Sequence, residues 1–180
     1  MAALHVEVAD GDELPAGVLE GVRELTFAAF GGRFDQHDWE HTYGGWRVVA
    51  LEEGVPVAGA AVVPRLLVVG DRPLAAGYVE GVATAPGRER QGLGSAVLAA
   101  VGVLLREQYE LGALSTGRHA FYERLGWERW GGPTQVRLDD GRVQRTPDDD
   151  GSLLVLRCPA STDLDPTAAI TCEERPGDDW

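Results

Sequence analysis

A carboxylate and a glycine-rich loop stand close together in the sequence, and both could do chemistry. Glu80 lies inside an apolar, β-favouring stretch, and the segment 89–94 a few residues later reads Glu-Arg-Gln-Gly-Leu-Gly. Glycines let the backbone approach a ligand, and a helix that follows such a loop presents unpaired N–H groups to an anion. We therefore predict an anion-binding loop with a candidate general base beside it.

The glycine spacing narrows the class of loop. A P-loop requires a lysine, and the chain contains none. The dinucleotide pattern GxGxxG fails because Val97 occupies the third glycine position. A cofactor loop of another kind is favoured, and an ordinary strand–helix connection remains the alternative.

The hydrophobic pattern predicts the elements that position these residues. Apolar residues before Glu80 form a strand that Pro86-Gly87 ends, and the apolar spacing after Gly94 predicts an amphipathic helix. Upstream we predict a strand at 4–8, a helix at 13–30 capped by Asp10 or Asp12, a short helix within 33–43, and hairpin strands over 46–69. Hairpins followed by a strand–loop–helix unit indicate an α+β domain with a mixed sheet.

The loop and a second motif resemble one enzyme family. Gln91-Gly-Leu-Gly94 is similar to the pyrophosphate loop of the GCN5-related N-acetyltransferases (GNAT), and Tyr122 with Gly126-Trp127 matches their second signature. The resemblance implies a single domain over 1–180, with about six to seven strands and about four helices. It also implies that acetyl-CoA is held by these residues: Val82, Ala83, Thr84, Glu89, Arg90, Gln91, Gly92, Leu93 and Gly94.

Charge bears on the partner. The net charge of −13 argues against nucleic acid as a partner. The segment 139–180 holds eleven acidic residues and four arginines, and its tail from residue 159 is acidic and irregular in pattern. Such a field attracts a polycation, although acidic residues that only keep the protein soluble, or an aspartate run that only forms a solvated turn, give the same composition.

Five segments resemble the aminoglycoside 2'-N-acetyltransferases within this family. They are 38–42, 77–83, 111–115, 145–151 and 177–180. The resemblance implies an acceptor site for a cationic aminoglycoside, completed by the tail 159–180, and an activity that confers antibiotic resistance. The implied acceptor-binding residues are Asp38, Glu80, Gly81, Ser115, Asp148, Asp149, Asp178 and Trp180.

We also expect a direct transfer of the acetyl group, with no covalent acetyl-enzyme. Glu80, directly or through a water and aided by the carboxylate of Trp180, is expected to accept the proton of the amine. Tyr122 is expected to protonate or hydrogen-bond the departing thiolate. The strand is expected to widen at Glu80-Gly81, so that the Val82 N–H faces the thioester carbonyl. A cysteine nucleophile is disfavoured because neither Cys158 nor Cys172 has an adjacent histidine.

Two alternatives stay open, and several absences are expected. The acceptor could be another small amine, such as a polyamine or a kasugamycin-type antibiotic, or the chain could be a non-catalytic coenzyme A sensor. We expect no metal site, because His37 and His41 lack a third ligand nearby. No signal peptide or membrane span is evident, which makes a cytoplasmic location the default expectation, and relatives of this kind suggest a homodimer.

Overall fold

The computed structural model describes residues 3–11 and 13–180, and it has the expected α+β architecture. Within those residues it contains ten strands, more than the six or seven expected, and four α-helices. The strands are β1 Leu4–Asp10, β2 Trp46–Glu52, β3 Val55–Val69, β4 Arg72–Thr84, β5 Leu111–Ser115, β6 Glu128–Arg129, β7 Thr134–Arg137, β8 Val143–Arg145, β9 Leu153–Arg157 and β10 Ile170–Glu173. The helices are α1 Ala16–Phe30, α2 Gln36–Glu40, α3 Leu93–Gln108 and α4 His119–Glu123, with 3₁₀ turns at Pro147–Asp149 and Pro159–Ser161.

The chain divides into two compact units. The first comprises Met1–Val63 and Val79–Val103, and the second comprises Pro64–Tyr78 and Leu104–Trp180. The long strands β3 and β4 and the helix α3 each contribute residues to both units. Among the described residues, no helix combines the length and the apolar character that a membrane span needs.

The first unit is built on the antiparallel strands β1, β2 and β3. β1 pairs with β2 along its whole length, and β2 pairs with the first half of β3. The apolar face of α1 packs against a buried cluster to which α2 and the strands β1 and β2 also contribute side chains. The buried members of this cluster are Ala9, Leu14, Val22, Phe34, Trp39, Val49 and Leu51.

The start of α1 differs from the prediction. The helix begins at Ala16, and Pro15 precedes it with an extended backbone and no side-chain cap. Asp10, one predicted cap, is instead the last residue of β1, and Asp12, the other, lies outside the described residues. Because the fixed φ of proline suits the residue next to a helix start, Pro15 places the boundary later than the acidic residues suggest.

The rest of the sheet has the order β6-β9-β5-β4-β3-β10-β7-β8, and all of it belongs to the second unit except β3 up to Val63 and β4 from Val79. β4 runs parallel to β5 over Ala76–Tyr78, and β5 pairs antiparallel with β9. The prediction of an irregular tail after Pro159 is wrong at β10, which lies between β3 and β7. The four residues of β10 are too few to show a periodic pattern in the sequence. β10 is a strand because β3 and β7 supply hydrogen-bond partners for its backbone on both sides.

Candidate active site

The predicted cofactor loop lies in the first unit, where β4 ends and α3 begins. Its start is fixed by the Ala85 N–H, which donates to the carbonyl of Val57 at 2.9 Å. Arg90 and Gly92 both have positive φ, +62° and +83°, and α3 begins immediately afterwards at Leu93. A Cβ atom added at Gly92 would project into open space, which leaves room for a ligand there. An exposed backbone at a helix start suits an anionic pyrophosphate.

The nine predicted cofactor residues differ in what they can offer. Ala83 and Leu93 are buried at 5% and 4% exposure, so only their backbone groups can face a ligand. Glu89, Arg90 and Gln91 are exposed. The remaining four are half-buried or exposed, and they are Val82, Thr84, Gly92 and Gly94. The loop therefore offers a ligand mainly backbone groups, and Arg90 adds an exposed positive charge.

An ion pair braces this loop, which the sequence did not indicate. The Arg88 guanidinium donates to both carboxylate oxygens of Glu52 at 2.9 to 3.1 Å, and its Nε donates to Oε1 of Gln91 at 2.8 Å. This bidentate pairing raises the pKa of Arg88 and lowers that of Glu52. Arg88 therefore connects the loop to the end of β2 and orients Gln91.

Glu80 and Gly81 lie further back along β4, also in the first unit. Gly81 has φ +60°, so regular extended backbone is interrupted at the position where the sequence predicts a widened strand. A Cβ atom there would stand 3.4 Å from the methyl group of Thr42. Thr42 is itself fixed, because Arg47, only 2% exposed, donates to its hydroxyl at 2.7 Å. Glu80 is half-buried beside this interruption.

Asp38 has a structural role that its predicted contact with the acceptor did not anticipate. Its Oδ2 accepts the Asp35 N–H at 2.8 Å, and the Asp35 carboxylate accepts the N–H groups of His37 and Asp38. This reciprocal capping box defines the start of α2. The contact between Asp38 and an acceptor stays a prediction.

Tyr122 and Ser115 belong to the second unit. Tyr122 is 6% exposed and packs edge-on against the rings of Phe121 and Trp127. Burial raises the pKa of its hydroxyl to about 12, and the nearby charge of Arg118 opposes that rise. The Ser115 hydroxyl lies 3.2 Å from that of Ser152, at the exposed end of β5.

Four of the residues that are predicted to bind the acceptor substrate lie close together in the second unit. Burial raises the pKa of Asp149, and the charges of Asp178, Asp148 and Asp179 add to that rise. Asp178 accepts the Trp180 N–H at 3.3 Å, and the buried indole of Trp180 donates to the Thr146 hydroxyl at 3.1 Å. We call Asp148, Asp149, Asp178 and Trp180 the acidic cluster.

Asp150 stands apart from the two aspartates before it. Its carboxylate accepts the backbone N–H and the hydroxyl of Thr134, and it forms a bidentate pair with Arg145 at 2.6 and 3.1 Å. These bonds hold the pKa of Asp150 far below its usual range. Asp150 is therefore committed to holding β7 and β8 beside the 3₁₀ turn, and the aspartate run divides into two binding candidates and one structural residue.

The described residues contain no group of three or more histidine, cysteine or acidic side chains arranged to hold a metal ion. Both cysteines are buried, and burial raises the pKa of each thiol, that of Cys172 to about 11. A thiol that is buried and protonated is a poor nucleophile.

Three comparisons with known proteins extend this picture. Residues 12–130 match the family model for the acetyltransferase (GNAT) domain. An aminoglycoside 2'-N-acetyltransferase from Mycolicibacterium fortuitum is 46% identical over 165 residues, which cover 89% of this chain and 84% of that protein. Both family resemblances seen in the sequence are therefore confirmed.

Solved structures show the same fold. A GNAT family N-acetyltransferase from Escherichia coli, determined in complex with CoA, has a TM-score of 0.68 at 21% identity, covering 97% of this chain and 95% of that one. A GNAT family acetyltransferase from Brucella melitensis, determined in complex with acetyl-CoA, has a TM-score of 0.61 at 16% identity, with coverages of 92% and 94%. With the domain match and the 46% identical relative, these findings establish that the chain belongs to the GNAT family of acetyltransferases.

Proposed function

We propose that this acetyltransferase moves the acetyl group of acetyl-CoA to the 2'-amino group of aminoglycoside antibiotics. The acidic cluster is the observation that carries the proposal. Aminoglycosides carry several ammonium groups, and carboxylates bind such groups through short, strong, charge-assisted hydrogen bonds. The name of the relative from Mycolicibacterium fortuitum supports the same acceptor.

The loop 85–94 supports acetyl-CoA as the donor. Its exposed backbone, the positive φ at Gly92 and the start of α3 fit a pyrophosphate, which is the most highly charged part of the cofactor's linker. Arg90 supplies a positive charge in the same loop. The nine cofactor residues predicted from the sequence would hold the molecule mainly through backbone groups.

Glu80 acts as the general base in this proposal. An ammonium group cannot attack a thioester, so the acceptor amine must first lose a proton, directly or through a water molecule, to a carboxylate. Gly81 then lets the strand turn the Val82 N–H toward the thioester carbonyl, where it stabilises the negative charge of the tetrahedral intermediate. Trp180 helps to place the acceptor amine as part of the acidic cluster, and Tyr122 gives its proton to the departing thiolate.

A matched pair of substrates tests the acceptor. The purified protein is assayed for acetyl-CoA-dependent thiol release with kanamycin B, which has a 2'-amine, and with kanamycin A, which has a 2'-hydroxyl. We expect release with kanamycin B alone, and a product whose added acetyl group is located on the 2'-nitrogen by mass spectrometry and NMR. Spermidine and kasugamycin are assayed in parallel.

The outcomes separate the alternatives. Release with spermidine or kasugamycin, and with no aminoglycoside that carries a 2'-amine, would show an acetyltransferase for another amine. Acetyl-CoA binding without release for any amine would indicate a sensor. Equal release with kanamycin A and B would place the acetyl group elsewhere on the drug.

The cellular setting is part of the proposal. We infer a cytoplasmic enzyme, since acetyl-CoA is made and used inside the cell, and resistance to 2'-amino aminoglycosides as the phenotype of its expression. We also infer a homodimer, which light scattering on the purified protein would measure directly. A rise in the inhibitory concentration of kanamycin B, and none for kanamycin A, is the expected result in a sensitive host.

A further inference from the structure

Arg65 on β3 forms hydrogen bonds with the backbone of the segment that leads to Trp180. Arg65 Nη1 donates to the carbonyl of Asp179 at 2.6 Å, and its Nη2 donates to the carbonyl of Glu173 at 2.9 Å. The two acceptors lie on either side of the segment 174–178. One guanidinium therefore closes this segment into a loop and fixes the peptide unit that leads into Trp180.

The same guanidinium is itself held in place. Its central carbon lies 4.9 Å from the centroid of the buried Tyr78 ring, a cation–π distance. Arg175 lies 5.6 Å from the same ring, and its Nε donates to the carbonyl of Asp178 at 2.6 Å. The carbonyl groups of Asp178 and Asp179 both accept hydrogen bonds from guanidinium groups, so two arginines hold the backbone that carries Asp178 and leads into Trp180.

We propose that Arg65 is a positioning residue for the acceptor site, which it serves by fixing Asp178 and Trp180 through the backbone on either side of their loop. This inference rests on the proposed function for its effect on catalysis, although its structural part does not. The planar fork of arginine reaches two separate carbonyl groups, whereas a lysine ammonium is a single point and a glutamine amide is too short.

A spectroscopic test addresses the structural part without any substrate. The indole N–H of Trp180 gives a cross-peak in a ¹⁵N correlation spectrum, and this peak is assigned by its loss in the Trp180→Phe variant. Because the indole donates to Thr146, the position of the peak reports on that contact. We expect Arg65→Gln to shift or broaden this peak and to leave the other indole peaks in place. The matched control is Arg72→Gln, since Arg72 also donates to a carbonyl group and a carboxylate, those of Ala160 and Asp163.

Kinetics address the functional part. We expect Arg65→Gln to raise KM for kanamycin B about tenfold, because loss of two charged hydrogen bonds frees the loop. Arg65→Lys is expected to give a smaller rise. KM for acetyl-CoA is expected to stay within about twofold in both variants, and Arg72→Gln to match the wild type.

The results are distinguishable from those that test the function itself. An unmoved Trp180 peak in Arg65→Gln overturns the proposal, as does a moved peak with an unchanged KM for the aminoglycoside. If Arg65→Gln does not fold, Arg65→Lys carries the same two measurements, because it keeps the charge and the stem. A wild-type protein that acetylates no aminoglycoside refutes the proposed function and the catalytic role of Arg65 with it, while the peak still reports on the loop.

Discussion

Burial decides what Tyr122 can do in the reaction. With its pKa raised to about 12, its hydroxyl stays protonated throughout the neutral and mildly alkaline range, as a proton donor must. We expect Tyr122→Phe to lower kcat by about 10²- to 10⁴-fold, the size of general acid assistance, with little change in either KM. Steady-state kinetics at saturating kanamycin B measure this effect.

The pH profile adds a second check on Tyr122. The Tyr122 phenol does not ionise below about pH 11, so its ionisation cannot lower kcat between about pH 8 and 10. The wild type and Tyr122→Phe should therefore show the same pH dependence of kcat over this range. An unchanged kcat in a variant that keeps its melting temperature would show that positioning alone carries the rate.

Asp149 predicts a pH dependence of acceptor binding. Its pKa is raised by burial and by Asp178, Asp148 and Asp179, so it becomes neutral at a higher pH than an ordinary aspartate does. Below that pH the acidic cluster has one negative charge fewer, and KM for the aminoglycoside rises. We expect Asp149→Asn to have a raised KM at pH 7 and a flatter dependence between about pH 4 and 6.

Asp149→Asn, which is expected to bind the aminoglycoside more weakly, should nevertheless be more stable than the wild type. A raised pKa in the folded state means that ionised Asp149 destabilises the fold above that pKa, so its neutral substitute removes the penalty. Asp149→Asn should melt higher than the wild type at pH 7. Asp163→Asn is the control, because Asp163 pairs with Arg72 and its pKa is lowered. A loss of stability in Asp149→Asn, or a wild-type pH profile, contradicts this account.

At the scale of elements, Asp150 holds together β7, β8 and the 3₁₀ turn that carries Asp148 and Asp149 of the acidic cluster. Its pKa is lowered by Arg145 and Thr134, so its stabilisation is complete above the ordinary aspartate pKa of about 3.9 and is lost as pH falls toward the folded value. We expect Asp150→Asn to melt lower than the wild type at pH 7. Calorimetry should show this difference shrinking below about pH 4, and a constant difference would contradict the linkage.

The loop between β4 and α3 makes its own prediction through Gly92. Its φ of +83° is unfavourable for alanine by about 1 kcal/mol, although a Cβ there would meet no neighbouring atom. Gly92→Ala should therefore raise KM for acetyl-CoA several-fold and leave KM for kanamycin B unchanged. The control is Gly117→Ala, which is also free of contacts but lacks the positive φ. An equal effect in both variants would mean that the loop conformation is not needed.

Sequence reasoning was strongest for elements with a long periodic pattern or a local turn signal. The apolar spacing from Val97 to Leu105 predicted α3, and the glycines predicted the loop before it. β10 was missed because its four residues form a strand only through partners on β3 and β7. The role of Arg65 was missed for the same reason, because the fold brings it to carbonyl groups that are 108 and 114 residues away. Arg47 was missed although Thr42 is only five residues away, because no local sequence pattern predicts their hydrogen bond.

For the whole molecule, both units are acidic in composition, with 13 acidic residues and 5 arginines in the first and 16 acidic residues and 11 arginines in the second. The acid-rich segment 139–180 lies entirely in the second unit, whereas Arg88 and Arg90 of the cofactor loop lie in the first. In a chain with net charge −13, the attraction for a cation and for an anion therefore comes from particular segments, and not from a difference in net charge between the units. Composition revealed the excess of acidic residues. Only the structure separated the acidic cluster from Asp150, whose carboxylate pairs with Arg145 and Thr134.

This charge distribution predicts that the two substrates respond differently to salt. The whole-molecule field and the acidic cluster both attract a cationic aminoglycoside, so raising NaCl from about 20 to 200 mM should raise its KM several-fold while kcat stays constant. For acetyl-CoA, an anion, salt weakens both the repulsion from the net charge and the attraction of the loop arginines, so its KM should change little. Initial rates at fixed pH measure both dependences. If KM for kanamycin B does not respond to salt, neutral hydrogen bonds and not carboxylate charge hold the drug, and Asp149→Asn and Asp178→Asn should then bind it as well as the wild type does.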